Sequence, residues 1–228
     1  MTELWNGLAK ALELIISLDP EVMKIAGRSL AISVTSVLLA SIICLPLAGL
    51  IHFNRFPGKR VLVSLIQTFY SIPTVAIGLF VFVLFSRAGP LGVLNLLFTP
   101  TIMVIGQTLL ITPVITGLTI SALSGIDKAI LDTARSLGAS GFQITVLILK
   151  EARFAVMAAV SMGFGRAISE VGIAIMVGGN IRGFTRVITT AIALEASKGD
   201  IEFSLALGII LIFIALVANI ILNRIQQR

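Results

Sequence analysis

Long apolar runs separated by short polar stretches dominate the hydrophobic pattern of this chain. Five of these runs exceed the roughly 20 residues that a helix needs to cross the hydrocarbon core of a membrane. They cover residues 25–51, 61–86, 101–123, 154–179 and 203–223. The pattern therefore predicts an all-α polytopic membrane protein with five strong spans, three of which are interrupted by Pro46, Pro73 and Pro113.

A weaker apolar run covers residues 4–18, and its length of about 15 residues is short for a perpendicular crossing. Trp5 suits an anchor at the membrane–water interface, and Asp19-Pro20 ends the run. We therefore predict that residues 1–20 form a short N-terminal helix that lies in the interface or crosses at a slant. Residues 21–228 would form the transmembrane domain.

The most polar stretch of the chain, residues 124–153, lies between the third and fourth strong spans. Its charged residues are Asp127, Lys128, Asp132, Arg135, Lys150, Glu151 and Arg153. So many charges cannot be placed in lipid. The stretch is therefore expected to lie in water against the membrane, where a soluble partner can reach it.

A short amphipathic helix is predicted at the start of this polar loop. Asp127 is a plausible N-cap, and a single apolar stripe at helical spacing is formed by Ile130, Leu131, Ala134 and Leu137. Gly138 follows where a left-handed C-terminal turn is expected, because glycine has no Cβ to clash there. From Phe142 a second helical pattern runs into the next span.

The composition excludes several classes of function. With 57% hydrophobic and 12% charged residues, the chain is far less charged than a soluble domain. Its net charge of +6 does not indicate nucleic-acid binding, because the basic residues flank apolar runs and form no aromatic-interleaved patch. The single cysteine (Cys44) and the single histidine (His52) make a metal site or an intramembrane enzyme improbable.

The distribution of basic residues predicts the orientation. With five spans, the loop at residues 52–60, the polar loop and the C-terminal tail fall on one side. That side carries Arg55, Lys59, Arg60, Lys128, Arg135, Lys150, Arg153, Arg224 and Arg228. The other side carries fewer basic residues, so the polar loop and the C-terminus are predicted to be cytoplasmic.

Two charged residues lie about a dozen residues into the fourth span. Arg166 and Glu170 are four positions apart, so on one helix they would share a face and can pair. Each isolated charge there costs about 2.5–3.5 kcal/mol on insertion scales. Two interpretations carry equal weight: an internal ion pair, or a gate or lining group that meets a dianion.

Hydroxyl groups also follow helical spacing inside the spans. Thr108, Thr112, Thr116 and Thr119 do so in the third span, and Ser29, Ser33 and Ser36 do so in the first. Neutral donors suit a transient path for an anion. The alternative, which is slightly favoured, is hydrogen bonding between neighbouring helices, at about 0.6 kcal/mol per contact.

The polar loop resembles the EAA loop of bacterial ABC importer permeases. The matching positions are Asp132-Thr133-Ala134, Gly138 and Ile148, with Asp132 in place of Glu and Thr133 in place of the first Ala. Lys150 and Glu151 stand where the family has Leu and Pro. The position of the loop between the third and fourth strong spans fits the type I fold of that family.

A second block is similar to molybdate, sulfate and tungstate permeases. It comprises residues 165–172, 176–181, 185–186 and 189–192. The short chain and Gly125-Ile126-Asp127 favour the tungstate branch. The resemblance implies a permease that works as two copies and holds no cofactor. Partner ATP-binding subunits would bind ATP and Mg²⁺, and an extracytoplasmic protein would deliver the oxyanion.

Residue roles follow from the resemblance as expectations. Contact with the ATP-binding subunit is expected at Asp132, Thr133, Ala134, Arg135, Gly138 and Ile148. Arg182 and Arg186 are candidates for contact with the binding protein, although a merely solvated loop is about as plausible there. The chain has no phosphate-binding loop of the Gly-x-x-x-x-Gly-Lys-Ser/Thr type, so nucleotide must be bound by another polypeptide.

The resemblance leaves the substrate open among tungstate, molybdate and sulfate, which are all tetrahedral dianions. A secondary transporter that works without ATP is a further alternative. Such a protein would be expected to show an internal repeat, and the two halves of this chain show none.

Overall fold

The computed structural model describes residues 2–226, and within that range the chain is helical without any strand. The N-terminal half comprises α1 (Thr2–Ile16), α2 (Pro20–Phe53), α3 (Lys59–Thr68), α4 (Thr74–Phe85) and α5 (Pro100–Ser124). The C-terminal half comprises α6 (Lys128–Ser136), α7 (Gly141–Glu151), α8 (Arg153–Ile168), α9 (Gly172–Gly178), α10 (Ile188–Lys198) and α11 (Ile201–Gln226). Arg228, one of the basic residues on which the predicted orientation rests, lies outside the described residues.

Three helices, α2, α5 and α11, are each long and apolar enough to cross a membrane. Two further crossings are broken: α3 and α4 meet at 100°, and α8 and α9 meet at 56°. Counting each bent pair as one crossing gives the five spans that the sequence predicted. The break within residues 61–86 lies at Pro73, which the sequence indicated as an interruption, whereas the sequence indicated no break within residues 154–179.

The break between α3 and α4 has a local cause. Ile72 has extended backbone angles (φ −61°, ψ 132°), and the ring of a following proline disfavours the helical region at the residue before it. Pro46 and Pro113, in contrast, lie inside the continuous helices α2 and α5. Proline alone therefore does not decide where a span breaks.

Helices α2 and α5 form the centre of the bundle and run in the same direction. Ser36 Oγ lies 3.3 Å from the carbonyl of Val104, and further along Ser124 Oγ lies 3.4 Å from His52 Nδ1. Helix α8 runs the other way and approaches α5 closely at Gly163, which packs on the side chain of Ile115. Small residues permit such close helix contacts in membranes.

The N-terminal helix α1 packs on the start of α11. Asn6 Nδ2 donates to Glu202 Oε1 at 2.7 Å, and Ala11 is buried in a cluster with Leu207. With 15 residues, α1 is about 22 Å long, which is shorter than the hydrocarbon core. Whether it lies in the interface or crosses at a slant therefore stays a prediction.

The bundle has two ends, which the contacts define. At the polar-loop end, α2 and α5 finish beside each other at His52 and Ser124, and α6 and α7 follow. At the opposite end, the start of α2 meets the loop before α10 through Glu21 and Arg182.

The bend between α3 and α4 packs against α5 at Gly117. The buried Tyr70 hydroxyl packs on Gly117, where a Cβ atom would overlap the phenol ring. We expect Gly117→Ala to lower the free energy of unfolding by about 1–3 kcal/mol, the usual cost of overpacking. The measurement is thermal unfolding of the detergent-purified protein, followed by a thiol-reactive fluorophore that reports exposure of the buried Cys44.

The matched control is Gly27→Ala, because nothing lies within 4 Å of a Cβ at that exposed position in α2. Alanine stabilises a helix interior by up to roughly 1 kcal/mol relative to glycine, so this variant should unfold at the same temperature or higher. Equal unfolding temperatures for Gly117→Ala and Gly27→Ala would contradict the close packing of Tyr70 on Gly117.

Candidate functional site

Helix α6 begins and ends where the sequence predicted. The Asp127 side chain accepts a hydrogen bond from the backbone N–H of Ala129 at 2.9 Å, which confirms it as the N-cap. Gly138 has φ +76°, the left-handed value expected just after the helix, and Ala139 N–H donates to the carbonyl of Ala134 at 3.1 Å. The first part of the polar loop is therefore a regular helix, α6, with a defined cap at each end.

Helix α7 carries its own N-terminal cap. Ser140 Oγ accepts from Gln143 N–H at 3.4 Å, and the Gln143 side chain accepts in return from Ser140 N–H at 2.8 Å. This reciprocal cap fixes the turn between α6 and α7. It lies one residue beyond Ala139, where the sequence indicated only a break before the second helical pattern.

The apolar stripe predicted for α6 is divided between the interior and the surface. Ala134 is 6% exposed and Ile148 of α7 is 2% exposed, and both belong to one buried cluster with Leu123 at the end of α5. Leu137, in contrast, is 82% exposed, and Phe142 is 79% exposed. The side chain of Leu131 lies outside the described residues.

The surface formed by α6 and α7 is mostly apolar, with charges at its margin. The two helices enclose a groove of about 570 Å³ whose lining includes Ile130, Thr133, Leu137 and Leu147. On the exposed side of α6, Arg135 Nη1 lies 3.8 Å from Asp132 Oδ1. Thr133 Oγ1 donates to the Ala129 carbonyl. We call this combination of groove and charged margin the α6–α7 surface.

The ion pair between Arg166 and Glu170, one of the two interpretations left open by the sequence, is not formed in the structure. Helix α8 ends at Ile168, so the two residues do not share one helix face. Glu170 Oε1 instead accepts the backbone N–H of Ile173 at 2.9 Å, and the Glu170 carbonyl accepts from Thr189 Oγ1 at 2.8 Å. The four ion pairs found in the described part of the chain do not include Arg166 or Glu170.

Arg166 has no counter-ion among the residues that the structure describes. Its Nε atom is buried and makes no hydrogen bond to any described residue. Gly163, one turn earlier, packs on Ile111 and Ile115 of α5. Because α8 and α5 are antiparallel, Arg166 lies at the depth of Thr108 to Thr112, which is halfway along α5.

The hydroxyl groups divide into two sets. Ser29 Oγ accepts the backbone N–H of Ile188 at 2.8 Å, and Ser36 Oγ contacts Gln107 Oε1 at 3.2 Å. Those contacts favour the helix-packing interpretation for both serines, which are buried.

The threonines of α5 differ from the serines. Thr108 Oγ1 reaches the Ser36 carbonyl at a long 3.4 Å, and Thr112 Oγ1 donates within its own helix at 2.7 Å. Thr116 Oγ1 is buried without a hydrogen-bond partner among the described residues. Thr112 and Thr116 line a mainly apolar cavity of about 650 Å³ beside the bend between α3 and α4.

At the opposite end, the loop before α10 is tied to the start of α2. Arg182 pairs with Glu21 through both Nε (2.7 Å) and Nη2, and this hydrogen bonding raises the pKa of the arginine above its usual value. Arg28 donates to the backbone carbonyls of Gly183 and Arg186. These contacts could not be predicted from sequence patterns, because 161 positions separate Glu21 from Arg182.

Comparison with known proteins places the chain in a family. Residues 29–228 match the family model described as "Binding-protein-dependent transport system inner membrane component". The chain is 39% identical over 222 residues to the tungstate uptake system permease protein TupB of Peptoclostridium acidaminophilum, covering 97% of each chain. It is 35% identical over 224 residues to TupB of Campylobacter jejuni, covering 98% of this chain and 94% of the relative.

The fold also matches a solved transporter. An inward-facing structure of the MetNI methionine ABC transporter superposes with a TM-score of 0.75, covering 92% of this chain and 97% of the matched chain at 17% identity. The architecture is therefore that of a type I ABC importer permease, as the resemblance implied. The chain belongs to the binding-protein-dependent transport system inner membrane component family.

Proposed function

We propose that this chain is the membrane-spanning permease subunit of an ATP-driven importer for a tetrahedral oxyanion, most specifically tungstate. The observation that carries the proposal is the similarity to two tungstate uptake permeases over nearly the whole chain. Arg166 also supports an anionic cargo, because this cation lies halfway along the bundle and makes no ion pair with the described residues. Glu170, the carboxylate nearest to it in sequence, accepts a hydrogen bond from Ile173 instead.

The α6–α7 surface is the proposed contact with the ATP-binding subunit, which binds ATP and Mg²⁺. Its exposed apolar residues Leu137 and Phe142 offer contact area, and Asp132 and Arg135 can fix the register at the margin. This assignment makes the polar-loop end cytoplasmic and agrees with the excess of basic residues there. A second copy of the chain completes the pathway.

A push on α6 would be transmitted to the bundle through buried contacts. Ala134 and Ile148 share a cluster with Leu123 at the end of α5 and with Val156 in α8. Close-packed clusters transmit displacement because they have little free volume. Closure of the ATP-binding subunits would thereby move α5 and α8, the two helices that carry the candidate lining residues.

Arg166 and the α5 hydroxyls are the proposed lining of the pathway. An unpaired charge in mid-membrane costs about 2.5–3.5 kcal/mol on insertion scales, and a passing dianion offsets part of that cost. Thr108, Thr112 and Thr116 are the candidate neutral groups, and of these Thr116 Oγ1 is the hydroxyl that has no hydrogen-bond partner among the described residues. Glu170 is the other gate candidate, and its Oε1 accepts the backbone N–H of Ile173 at the start of α9.

The opposite end is the proposed docking side for the binding protein. Arg182 and Arg186 are the candidates for this contact, and the tie between Arg182 and Glu21 fixes the position of their loop. Arg186 Nε also donates to Asn180 Oδ1 at 3.2 Å. A docking protein would therefore meet a preformed loop rather than a disordered one.

The substrate is tested by reconstituting the permease with its ATP-binding and oxyanion-binding partners in liposomes. We expect ATP turnover to rise more with tungstate than with molybdate or sulfate at equal concentration. Stimulation by sulfate alone would reassign the substrate within the same family. Uptake that continues without ATP would instead favour a secondary transporter and contradict the proposal.

The coupling contact is tested with Leu137→Asp. A carboxylate at this exposed apolar position should weaken association with the ATP-binding subunit by at least about ten-fold, since a charge would have to be desolvated. The measurement is co-purification of the ATP-binding subunit with the tagged permease.

The matched control for that substitution is Val93→Asp. Val93 is 90% exposed in the loop at the opposite end, so its variant should co-purify with the ATP-binding subunit like the unchanged protein. An undiminished yield with Leu137→Asp would exclude this surface as the contact.

The lining role is tested with Arg166→Ala. Tungstate uptake should fall at least about ten-fold, because the cation that offsets the charge of the dianion is removed, while assembly with the ATP-binding subunit persists. Arg166→Lys should retain part of the uptake.

Glu170→Gln is the accompanying control. The amide oxygen of glutamine can still accept the N–H of Ile173, so uptake should stay close to that of the unchanged protein. Intact uptake in Arg166→Ala would rule out the lining role, and a loss in Glu170→Gln as large as in Arg166→Ala would restore the ion-pair interpretation.

A further inference from the structure

A basic groove lies at the polar-loop end, apart from the α6–α7 surface and the proposed lining. It has a volume of about 900 Å³ and is formed by the end of α2, the start of α3 and the end of α5. We define it by six of its residues, Arg55, Lys59, Arg60, Ser64, Ile120 and Ser124.

The charge of this groove is unbalanced. Three cationic side chains fall within six positions, and no carboxylate lines the groove. Lys59 Nζ donates to the backbone carbonyls of His52 and Asn54 and so closes the end of α2. Neither Arg55 nor Arg60 makes an ion pair or a side-chain hydrogen bond with the residues that the structure describes.

The backbone at the start of α3 adds to the positive potential. Gly58 precedes the helix with φ +84°, and no side chain caps the first N–H groups. Unsatisfied donors at a helix N-terminus carry a partial positive charge. They reinforce the two arginines, because α3 begins inside the lining of the groove.

Apolar residues stand directly beside these charges. Phe56 and Val61 line the groove and are 37% and 63% exposed, and Leu65, further along α3, is 49% exposed. A small soluble anion needs no apolar wall, whereas a phospholipid presents a phosphate next to hydrocarbon. The depth of the groove in the membrane also suits a phospholipid headgroup. Helices α2 and α5 both end at the groove, and long apolar helices end near the headgroups.

We propose that the basic groove binds the phosphate headgroup of an anionic phospholipid, with the acyl chains lying along α3. The guanidinium groups of Arg55 and Arg60 receive the phosphate, and the exposed Ser64 offers a hydroxyl donor. A lipid held there fixes the start of α3, which leads directly to the bend where Tyr70 packs on α5. The site would thereby connect leaflet composition to the broken span.

The test is native mass spectrometry of the full chain in detergent, with dioleoyl phosphatidylglycerol and dioleoyl phosphatidylcholine added in equal amounts. We expect the unchanged protein to retain phosphatidylglycerol preferentially. The double variant Arg55→Gln/Arg60→Gln should lose roughly ten-fold or more of that retention, since each basic residue contributes about a five-fold factor near an anionic surface.

Two variants provide matched controls. Arg224→Gln removes an exposed basic residue in the last turn of α11, outside the groove, and should retain the lipid fully. Arg55→Lys/Arg60→Lys keeps both charges and should retain most of it. If the glutamine double variant fails to fold, Ser64→Asp replaces it as the test. A carboxylate at this exposed position of the groove repels the lipid phosphate, so retention of phosphatidylglycerol should fall about ten-fold.

Two results would overturn the proposal. One is equal retention of phosphatidylglycerol by the unchanged protein and the glutamine double variant, or by Ser64→Asp where that variant decides. The other is complete displacement of the lipid by millimolar inorganic phosphate or tungstate, because that would identify a free ion rather than a lipid as the ligand. Neither result concerns ATP turnover, so the proposed transport function is tested independently of the lipid site.

Discussion

The lack of water in the hydrocarbon core is the constraint on which the rest of this structure depends. Every backbone N–H and C=O group there must find a partner within the protein, and continuous helices such as α2, α5 and α11 satisfy this requirement by themselves. A broken span leaves backbone groups at the break that need partners from elsewhere in the protein. At the break between α8 and α9, the Glu170 carboxylate and the Thr189 hydroxyl supply the missing partners.

The consequence reaches the proposed function. Glu170 Oε1 accepts a hydrogen bond at the start of α9, and Arg166, halfway along the bundle, makes no ion pair with the residues that the structure describes. The same break separates α8, whose first half shares a buried cluster with α6 and α7, from α9, which packs on α4 and α5 at Gly78 and Gly106.

Local sequence patterns predicted much of the architecture. The number of crossings follows from the length of the apolar runs, and the capped helix α6 follows from Asp127, its apolar spacing and Gly138. Each of these features depends on residues a few positions apart, so propensity and periodicity suffice to find it. The family resemblance rested on the same local motifs, and the match over residues 29–228 confirms it.

The sequence by itself thus determined the spans, the polar loop and the family of the chain. Only the tertiary structure decided the bends of 100° and 56°, the burial of Ala134 and Ile148, and the tie between Glu21 and Arg182. It also separated Arg166 from Glu170, because a four-residue spacing brings side chains together only while the helix continues, and α8 ends at Ile168. Whether it continues depends on partners such as Thr189, which lies 19 residues further along the chain.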